Sequence, residues 1–368
     1  MTIRQRFQTS DITQILPRVL FPTVAFLLSF LIAPALSRAT DYPQAQITNG
    51  QITATLYLPN AKDGYYRSTR FDWSGAFRSL EFKGHSFVEP WYDSVDPKVI
   101  NFVFRGSQVV NGSCGALQGP VYEFQTPLGW GSAQPGGAFI KIGVGVLRKT
   151  GESYNRFFPY RVLNSGKWTV NVHKSSIAFQ QVLSDPALGY AYVYRKVVRL
   201  VPGKPEMVIE SSLKNTGQHE IKSDVYAHNF TTIDHQPPGP DYTVSFPFQI
   251  QPMQFRPRAG RPAGQPTTQL AEAKGNKIVF NKVLTGRDQA VVFVRGYSDS
   301  PKDNRITIVN KTADAGVRIS GNRPLLREFM WSIRTVLAVE AYVAIDVQPG
   351  AEFTWKNTYE YYTLPAGK

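Results

Sequence analysis

Histidines are the side chains of this sequence best suited to proton transfer near neutral pH, and five are present: His85, His173, His219, His228 and His235. No HExxH motif or closely spaced His/Asp cluster occurs, which disfavours a zinc hydrolase. The GxSxG and GxxxxGK[ST] motifs of serine hydrolases and nucleotide-binding proteins are also missing. The lone Cys114 can form neither an intramolecular disulfide nor a cysteine-based metal site, and we expect it to be buried. The sequence therefore predicts no metal and no cofactor.

Two stretches have motifs that carry more information. Ser211–Asp234 is predicted to form a strand, an Asn-Thr-Gly turn and a second strand that ends in Tyr-Ala-His-Asn-Phe, with His228 at its centre. Val336–Phe353 contains Glu340 and then Gln-Pro-Gly-Ala-Glu-Phe, followed by an aromatic strand. In order and separation these motifs resemble those of the galactose mutarotase-like (aldose 1-epimerase) superfamily, and in particular exported members of it. The resemblance spans residues 46–362.

The resemblance implies a fold and an activity. The fold is a β-supersandwich, an all-β architecture of large antiparallel sheets. The activity is acid/base interconversion of sugar anomers by opening of the hemiacetal ring, with Glu340 as the base and His228 as the acid. A carboxylate and an imidazole are suited to these two steps near neutral pH. Tyr342 stands where the family usually has a glutamine.

Polar residues near the motifs are candidates for substrate binding. Arg70, in Arg-Phe-Asp-Trp, and His85, in Lys-Gly-His-Ser-Phe, are the nearest by position to an arginine and a second histidine of the family. Asn229 follows the motif histidine directly. Asp72 and Asp234 lie beside motif positions and complete the set.

Glu123 and several aromatic residues are further candidates. Glu123 follows a Gly-Pro turn and could bind a sugar hydroxyl, the alternative being an ordinary surface glutamate. Apolar faces of sugar rings stack on aromatic side chains, so Trp73, Trp91 and Trp331 are candidates for contact with substrate. Burial in the core is the alternative for each tryptophan.

Alternating hydrophobic residues recur along the chain after residue 46, and no stretch there shows a long helical period. Ile47–Leu58 predicts a hairpin around Asn49-Gly50, a strong short-range hairpin signal. The other predicted strands share the same alternation: 75–82, 139–147, 168–172, 176–183, 190–200, 206–214, 221–229, 241–246, 277–280, 289–294, 305–309, 317–320, 325–333, 341–347 and 352–361. Many short strands separated by turns indicate a large all-β sandwich or barrel.

The first 39 residues have the composition of a secretory signal peptide. Arg4, Arg6 and Arg18 precede an apolar run of about 14 residues, Val19–Ile32, which is shorter than the roughly 20 that a membrane-spanning helix needs. Small residues with Ala-x-Ala-like spacing follow. We expect residues 1–39 to be a signal peptide, cleaved or retained as an N-terminal anchor, and residues 40–368 to form one domain. The protein is then periplasmic or secreted.

The chain of 368 residues has a formal net charge of +14, which allows binding to acidic glycans, nucleic acid or membrane surfaces. The basic residues are dispersed rather than clustered, and export argues against nucleic acid. We therefore expect a carbohydrate partner, no nucleic acid and no stable membrane association once the signal segment is removed.

Three functions remain open from the sequence. The first is an exported aldose 1-epimerase-like enzyme, and the second is a non-catalytic carbohydrate-binding protein on the same fold. The third is a relative of polysaccharide lyases or hydrolases, for which the sequence offers no paired carboxylates. Activity that depends on Glu340 and His228 separates the first function from the second.

Overall fold

The computed structural model describes residues 42–251 and 269–365, so the signal peptide expected at residues 1–39 lies outside the described residues. The described part of the chain consists of β-strands, turns and two short 3-10 helices, Ile233–His235 and Pro301–Asp303, without an α-helix. No helix within it is long and apolar enough to cross a membrane. The all-β class predicted from the alternating hydrophobic residues is confirmed.

The first half of the chain forms mostly short strands. They are β1 Gln44–Thr48, β2 Ile52–Tyr57, β3 Ala76–Phe82, β4 His85–Val88, β5 Ser94–Val95, β6 Phe102–Arg105, β7 Gln108–Asn111, β8 Gly119–Phe124, β9 Ala138–Lys141, β10 Gly145–Arg148, β11 Val162–Asn164 and β12 Lys167–His173. Long connections between them, such as residues 58–75 and 149–161, leave chain available to cover other elements.

Longer strands dominate the second half. They are β13 Ser176–Asp185, β14 Tyr190–Leu200, β15 Glu206–Asn215, β16 Ile221–Thr231, β17 Tyr242–Ser245, β18 Ala271–Lys274, β19 Lys277–Phe280, β20 Gln289–Val294, β21 Arg305–Asn310, β22 Ala315–Gly321, β23 Arg327–Ile333, β24 Val336–Val347 and β25 Glu352–Thr363.

Two large antiparallel sheets form the body of the fold. One has ten strands in the order β12-β13-β14-β15-β25-β22-β21-β17-β19-β18, and the other has five in the order β20-β23-β24-β16-β8. One face of the five-stranded sheet packs on the ten-stranded sheet, and Val225, Ala227 and Val339 share a core with Tyr194 and Trp355 there. The strand alternation that predicted a sandwich thus matches its two faces.

The other face of the five-stranded sheet is covered by loops rather than by a second large sheet. Phe71 and Tyr160, from the connections that precede β3 and β11, pack with Phe230 of β16 and Ala338 of β24 in a second buried cluster. Side chains that point from β16 and β24 to this side are therefore enclosed by polar and aromatic loop residues.

The smaller sheets contain one confirmed and one wrong prediction. The Asn49-Gly50 hairpin joins β1 to β2 in a four-stranded sheet, with Gly50 at φ +87°, a conformation that favours glycine. The single strand predicted over Phe139–Leu147 is instead a hairpin, β9 and β10, because Gly143 at φ +78° turns the chain.

Strand β8 of the five-stranded sheet was not predicted, since its residues are buried on both faces and do not alternate in polarity.

Candidate active site

His228 and Glu340 lie side by side on the loop-covered face of the five-stranded sheet. The register of β16 and β24 pairs Tyr226 with Tyr342 and Asn229 with Val339, which places His228 opposite Glu340. The imidazole Nε2 is 3.1 Å from Glu340 Oε1, and both side chains are buried. Two residues far apart in the sequence thus form one ionisable pair.

Strand alternation decides which neighbours face the pair. Tyr342, two residues after Glu340, points to the same side, and its hydroxyl donates to Glu340 Oε2 at 2.7 Å. Asn229 points to the opposite side, where its amide donates to Val339 O and its Oδ1 accepts from Tyr359. Asn229 therefore ties the two large sheets together, and the substrate-binding role predicted for it is not supported by this orientation.

Aromatic rings enclose the imidazole. Phe230 stacks on His228 with a centroid distance of 3.7 Å, and Phe71 and Trp331 meet it edge-on at 5.8 and 6.1 Å. His228 Nδ1 is buried and has no hydrogen-bond partner among the residues that the structure describes. One ring nitrogen therefore contacts Glu340, while the other is enclosed by aromatic rings.

Burial shifts both members of the pair toward their neutral forms. It raises the pKa of Glu340 to about 7, against the opposing influence of the Arg156 guanidinium and the Tyr342 hydrogen bond. Burial, reinforced by Arg70 and Arg156, holds the pKa of His228 well below its usual range. The free protein therefore keeps one proton on the pair up to about pH 7.

A cluster of charged side chains centres on Glu123 in the same region. Glu123 Oε2 accepts from Arg70 Nε at 2.9 Å and from Tyr226 at 2.6 Å, and it also pairs with Arg156. Lys141 Nζ lies 3.5 Å from Oε1. The surface position considered for Glu123 is wrong, because this carboxylate is fully buried.

The basic partners fix the charge state of this carboxylate. Burial alone would raise the pKa of Glu123, but Arg156, Lys141 and Arg70 together outweigh it and lower the pKa to about 2. Burial lowers the pKa of Lys141 to about 8, although Glu123 opposes this change. The cluster thus holds a permanent carboxylate among three basic side chains.

Comparison with solved structures finds proteins of similar architecture. A putative aldose 1-epimerase from Escherichia coli K12 aligns with a TM-score of 0.50 and 11% identity, over 87% of this chain and 99% of that chain. A galactose mutarotase-like protein from Lactobacillus casei has a TM-score of 0.48 at 12% identity, covering 87% of this chain and 100% of its own. A GalM/aldose epimerase homologue from C. elegans has a TM-score of 0.48 at 12% identity, with coverages of 88% and 100%. The sequence matches no protein-family model and no curated protein.

The likeness to the Escherichia coli protein decides the fold. The chain has the galactose mutarotase-like fold. This confirms the supersandwich architecture expected from the two motif stretches. An identity of 11% establishes the fold alone.

On this galactose mutarotase-like fold, several predicted substrate-binding residues are engaged in the core. Asp72 accepts from Ser74, from Tyr194 at 2.8 Å and from Lys196, so both of its carboxylate oxygens have protein partners. Trp73 donates its indole N–H to Ser68 O at 2.8 Å and is buried. These contacts stabilise the chain around Asp72. The side-chain polar atoms of Asp72 and Trp73 are therefore bonded to these partners rather than directed at His228 and Glu340.

The tryptophans near the pair differ in exposure. Trp91 is buried, donates to Leu117 O at 2.8 Å and stacks on Phe230 at 5.2 Å, so it supports the ring that stacks on His228. Trp331 is half-buried and contacts His228 directly. Trp331 is therefore the tryptophan best placed to contact a ligand.

His85 and Asp234 pair with each other rather than with His228 and Glu340. His85 Nδ1 lies 2.7 Å from Asp234 Oδ2, and the Ser86 N–H donates to Oδ1 at 2.8 Å. Asp234 adopts the left-handed φ of +49°, which its side-chain bonds help to hold. Both were predicted substrate ligands, and the structure brings them together at the junction of β4 with the chain after β16.

Arg156, Tyr226 and Lys141 belong to the site and were not predicted. Arg156 comes from the loop between β10 and β11, in the sequence Ser-Tyr-Asn-Arg-Phe-Phe. An arginine between aromatic residues in a polar loop was the available signal for it. Lys141 and Tyr226 occupy strand positions where only the fold shows that they converge on Glu123.

A cleft of about 670 Å³ lies on the side of the 66–73 segment that is turned away from His228 and Glu340. Its lining includes Tyr42, Tyr65, Tyr66, Arg67, Trp73 and Tyr160. Tyr66 and Trp73 face this cleft, whereas Arg70 and Phe71, between them in sequence, contact the Glu123 cluster and His228. One segment therefore forms a wall between the cleft and the ionisable pair.

No group of three or more histidine, cysteine, aspartate and glutamate side chains that could hold a metal ion occurs within residues 42–251 and 269–365.

Proposed function

We propose that the protein interconverts sugar anomers by acid/base opening and closing of the hemiacetal ring. The observation that carries the proposal is the contact of 3.1 Å between His228 and Glu340, two buried groups whose environment keeps one proton on the pair near neutral pH. A pair of this kind can accept one proton and donate another without a change in its total charge.

The proton balance of the reaction sets the form of the pair that acts. Glu340 takes the proton of the anomeric hydroxyl while His228 protonates the ring oxygen, and the bond from the anomeric carbon to that oxygen breaks. Closure on the other face of the carbonyl returns both protons. Since the acid must start protonated and the base must not, the active pair holds one proton in total. Proton transfer from Glu340 to His228 across their contact supplies the form that opens the ring.

The test is the rate of anomer exchange, followed by NMR below neutral pH on the chain from residue 40. We expect Glu340→Gln and His228→Asn each to reduce the enzymatic rate by about 100-fold or more, as expected from the about 10²–10⁴-fold range for acid/base catalysis. Glu352→Gln and His173→Asn make the same changes at exposed positions and serve as matched controls. Retention of the full rate by both site variants, with unchanged folding, would show that the assignment is wrong.

The cleft beside Tyr65 favours a second function, binding of a carbohydrate without turnover. Tyrosine rings and hydroxyl groups in one groove suit the apolar faces and hydroxyls of sugars. Under this alternative Tyr65→Ala weakens glycan binding, whereas Glu340→Gln leaves it unchanged and anomer exchange is never accelerated. Isothermal titration calorimetry distinguishes the two functions. It uses the glycans that the protein is first found to bind on a glycan array.

Export to the periplasm or medium is part of the proposal. It is supported by the positive segment, the short apolar run and the small residues of positions 1–39. The intact mass of the protein expressed with its native N-terminus tests it. A mass that corresponds to a start within residues 34–40 supports cleavage.

A further inference from the structure

The region around the His228–Glu340 pair contains more positive than negative charge. Arg70, Arg156 and Lys141 all surround Glu123, which is the only carboxylate among the salt bridges that these three form in the described residues. Glu340 adds a second acidic group but stays largely protonated below about pH 7. Buried charge of one sign is costly unless a partner compensates it. An anionic ligand would supply that compensation.

Arg156 has hydrogen-bonding capacity left for such a ligand. It meets Glu123 and the Tyr226 hydroxyl through Nη2, while its Nε is buried and has no hydrogen-bond partner within the described part of the chain. The Arg156 side chain keeps about 25% of its surface exposed, in contrast to the 7% of Arg70. Arg156 therefore forms the accessible edge of the cluster, and Arg70 forms its buried base.

The aromatic residues of the loop hold the two guanidiniums close together. Arg70 lies over the rings of Phe71 and Phe157 at 4.3 and 4.8 Å, and Arg156 lies over Phe157 at 5.4 Å. Phe71 also contacts His228, so the guanidiniums are on the imidazole side of the site. A negative group bound there would be next to the acid that protonates the ring oxygen.

We propose that the substrate is a hexuronic acid, whose carboxylate is carried by the carbon next to the ring oxygen and is bound by Arg156 with support from Arg70. This inference rests on the proposed anomer exchange. With the ring oxygen at His228, the neighbouring carbon presents its substituent toward the guanidiniums. A planar guanidinium matches the two oxygens of a carboxylate, which favours this group over a neutral hydroxymethyl.

The experiment compares anomer exchange for galacturonic and glucuronic acid with galactose and glucose, and includes glucose 6-phosphate. At a fixed pH of 6 we expect kcat/KM for at least one uronic acid to exceed that of its neutral counterpart by at least tenfold. Equal or lower values for both acids, with the neutral sugars accelerated, would overturn the inference and leave the mutarotase proposal standing. Preference for the phosphate alone would also overturn the assignment of a carboxylate.

Variants of the loop arginine test the mechanism of selection. Arg156→Gln should lower the ratio of uronic acid to neutral kcat/KM by about tenfold, and Arg156→Lys should recover part of it because the charge is restored. Arg161→Gln makes the same charge change at an exposed position of the same loop and should leave the ratio unchanged. An unaltered ratio in Arg156→Gln would contradict the role of Arg156. Failure to accelerate any of the five sugars would refute the proposed function, and this inference with it.

Discussion

At the scale of single residues, the shared proton of His228 and Glu340 sets the pH dependence. The pKa of Glu340 is raised to about 7, so the pair keeps its proton below that pH and loses it above. We expect kcat/KM to be level at mildly acidic pH and to fall tenfold per unit above about pH 7, after subtraction of the spontaneous rate. Polarimetry across a series of buffers measures this profile. A rate that rises with pH through 7 would mean that the unprotonated pair is active.

Tyr342 gives a way to move that profile. Its hydroxyl donates to Glu340 Oε2, and this bond favours the ionised carboxylate, so it lowers the pKa of Glu340. Tyr342→Phe removes the hydroxyl while keeping the ring that stacks on Tyr226 at 4.2 Å. We expect the decrease in kcat/KM to begin at a higher pH in this variant. Tyr362→Phe is the control. If the decrease in kcat/KM of Tyr342→Phe begins at the same or a lower pH than in the wild type, this role of Tyr342 is contradicted.

At the scale of elements, strand β23 places Glu328 in an unusual position. It lies on the face of β23 that carries the core residue Met330. It is buried there, and neither of its carboxylate oxygens has a hydrogen-bond partner within residues 42–251 and 269–365. Burial therefore raises the pKa of Glu328 well above its usual range. The folded protein must either keep this group protonated or bear the cost of a buried, unpaired charge.

The consequence is a loss of stability as the pH rises. The pKa of Glu328 is higher in the folded than in the unfolded state. The stability that the protonated side chain contributes is therefore fully present below the pKa of the unfolded state, and it is lost as the pH rises through the pKa of the folded state. Glu328→Gln should increase the free energy of unfolding at pH 8 by about 1–3 kcal/mol relative to wild type, with a smaller difference at pH 5. Urea denaturation at both pH values, with Glu352→Gln as control, checks this. An equal change at the two pH values would disprove it.

Strand β14 contains the opposite case, a buried charge with its partner in place. Lys196 occupies an inward position of the alternating strand and contacts Asp72 Oδ2 at 2.5 Å. Lys196→Met leaves that carboxylate buried without its cation, and we expect a loss of about 3–5 kcal/mol in the free energy of unfolding. Arg195→Met changes the adjacent, exposed position and should have little effect. Thermal unfolding of the two variants is the comparison, and similar melting temperatures would count against the ion pair.

These cases show where prediction from the sequence succeeded. Period-two alternation located β14 and β19 at their observed bounds and gave the sandwich, because one side of each strand packs in the core. The motif stretches brought His228 and Glu340 together, and their contact now supports that pairing. Their catalytic role is still a prediction.

Other parts of the site could not be found in this way. Glu123 is bonded to residues 53 and 103 positions away, Arg70 and Tyr226, so its burial depends on contacts that no local pattern records. Asn229 was selected because it adjoins His228, yet neighbours in a strand face opposite sides. Arg156 comes from a loop, whose path is set by the elements that it covers.

At the scale of the whole molecule, the excess of basic over acidic residues acts together with the guanidinium cluster. A positively charged protein attracts an anionic sugar at a distance, and added salt screens that attraction. We expect KM for a uronic acid to rise severalfold between 0.02 and 0.5 M NaCl, while KM for the neutral counterpart changes little. If the KM for the uronic acid does not change with salt, the acid is recognised only by groups within the site.

The single thiol of the chain has a practical consequence for observing the loop that carries Arg156. Cys114 is about 1% exposed, and its sulfur lies 2.9 Å from the hydroxyl of Ser68, so thiol reagents have little access to it. A cysteine introduced at exposed Ser153, three residues before Arg156, would then be the only readily labelled position. A fluorophore or spin label attached there would report, in an otherwise unaltered protein, whether the loop moves when a sugar is added.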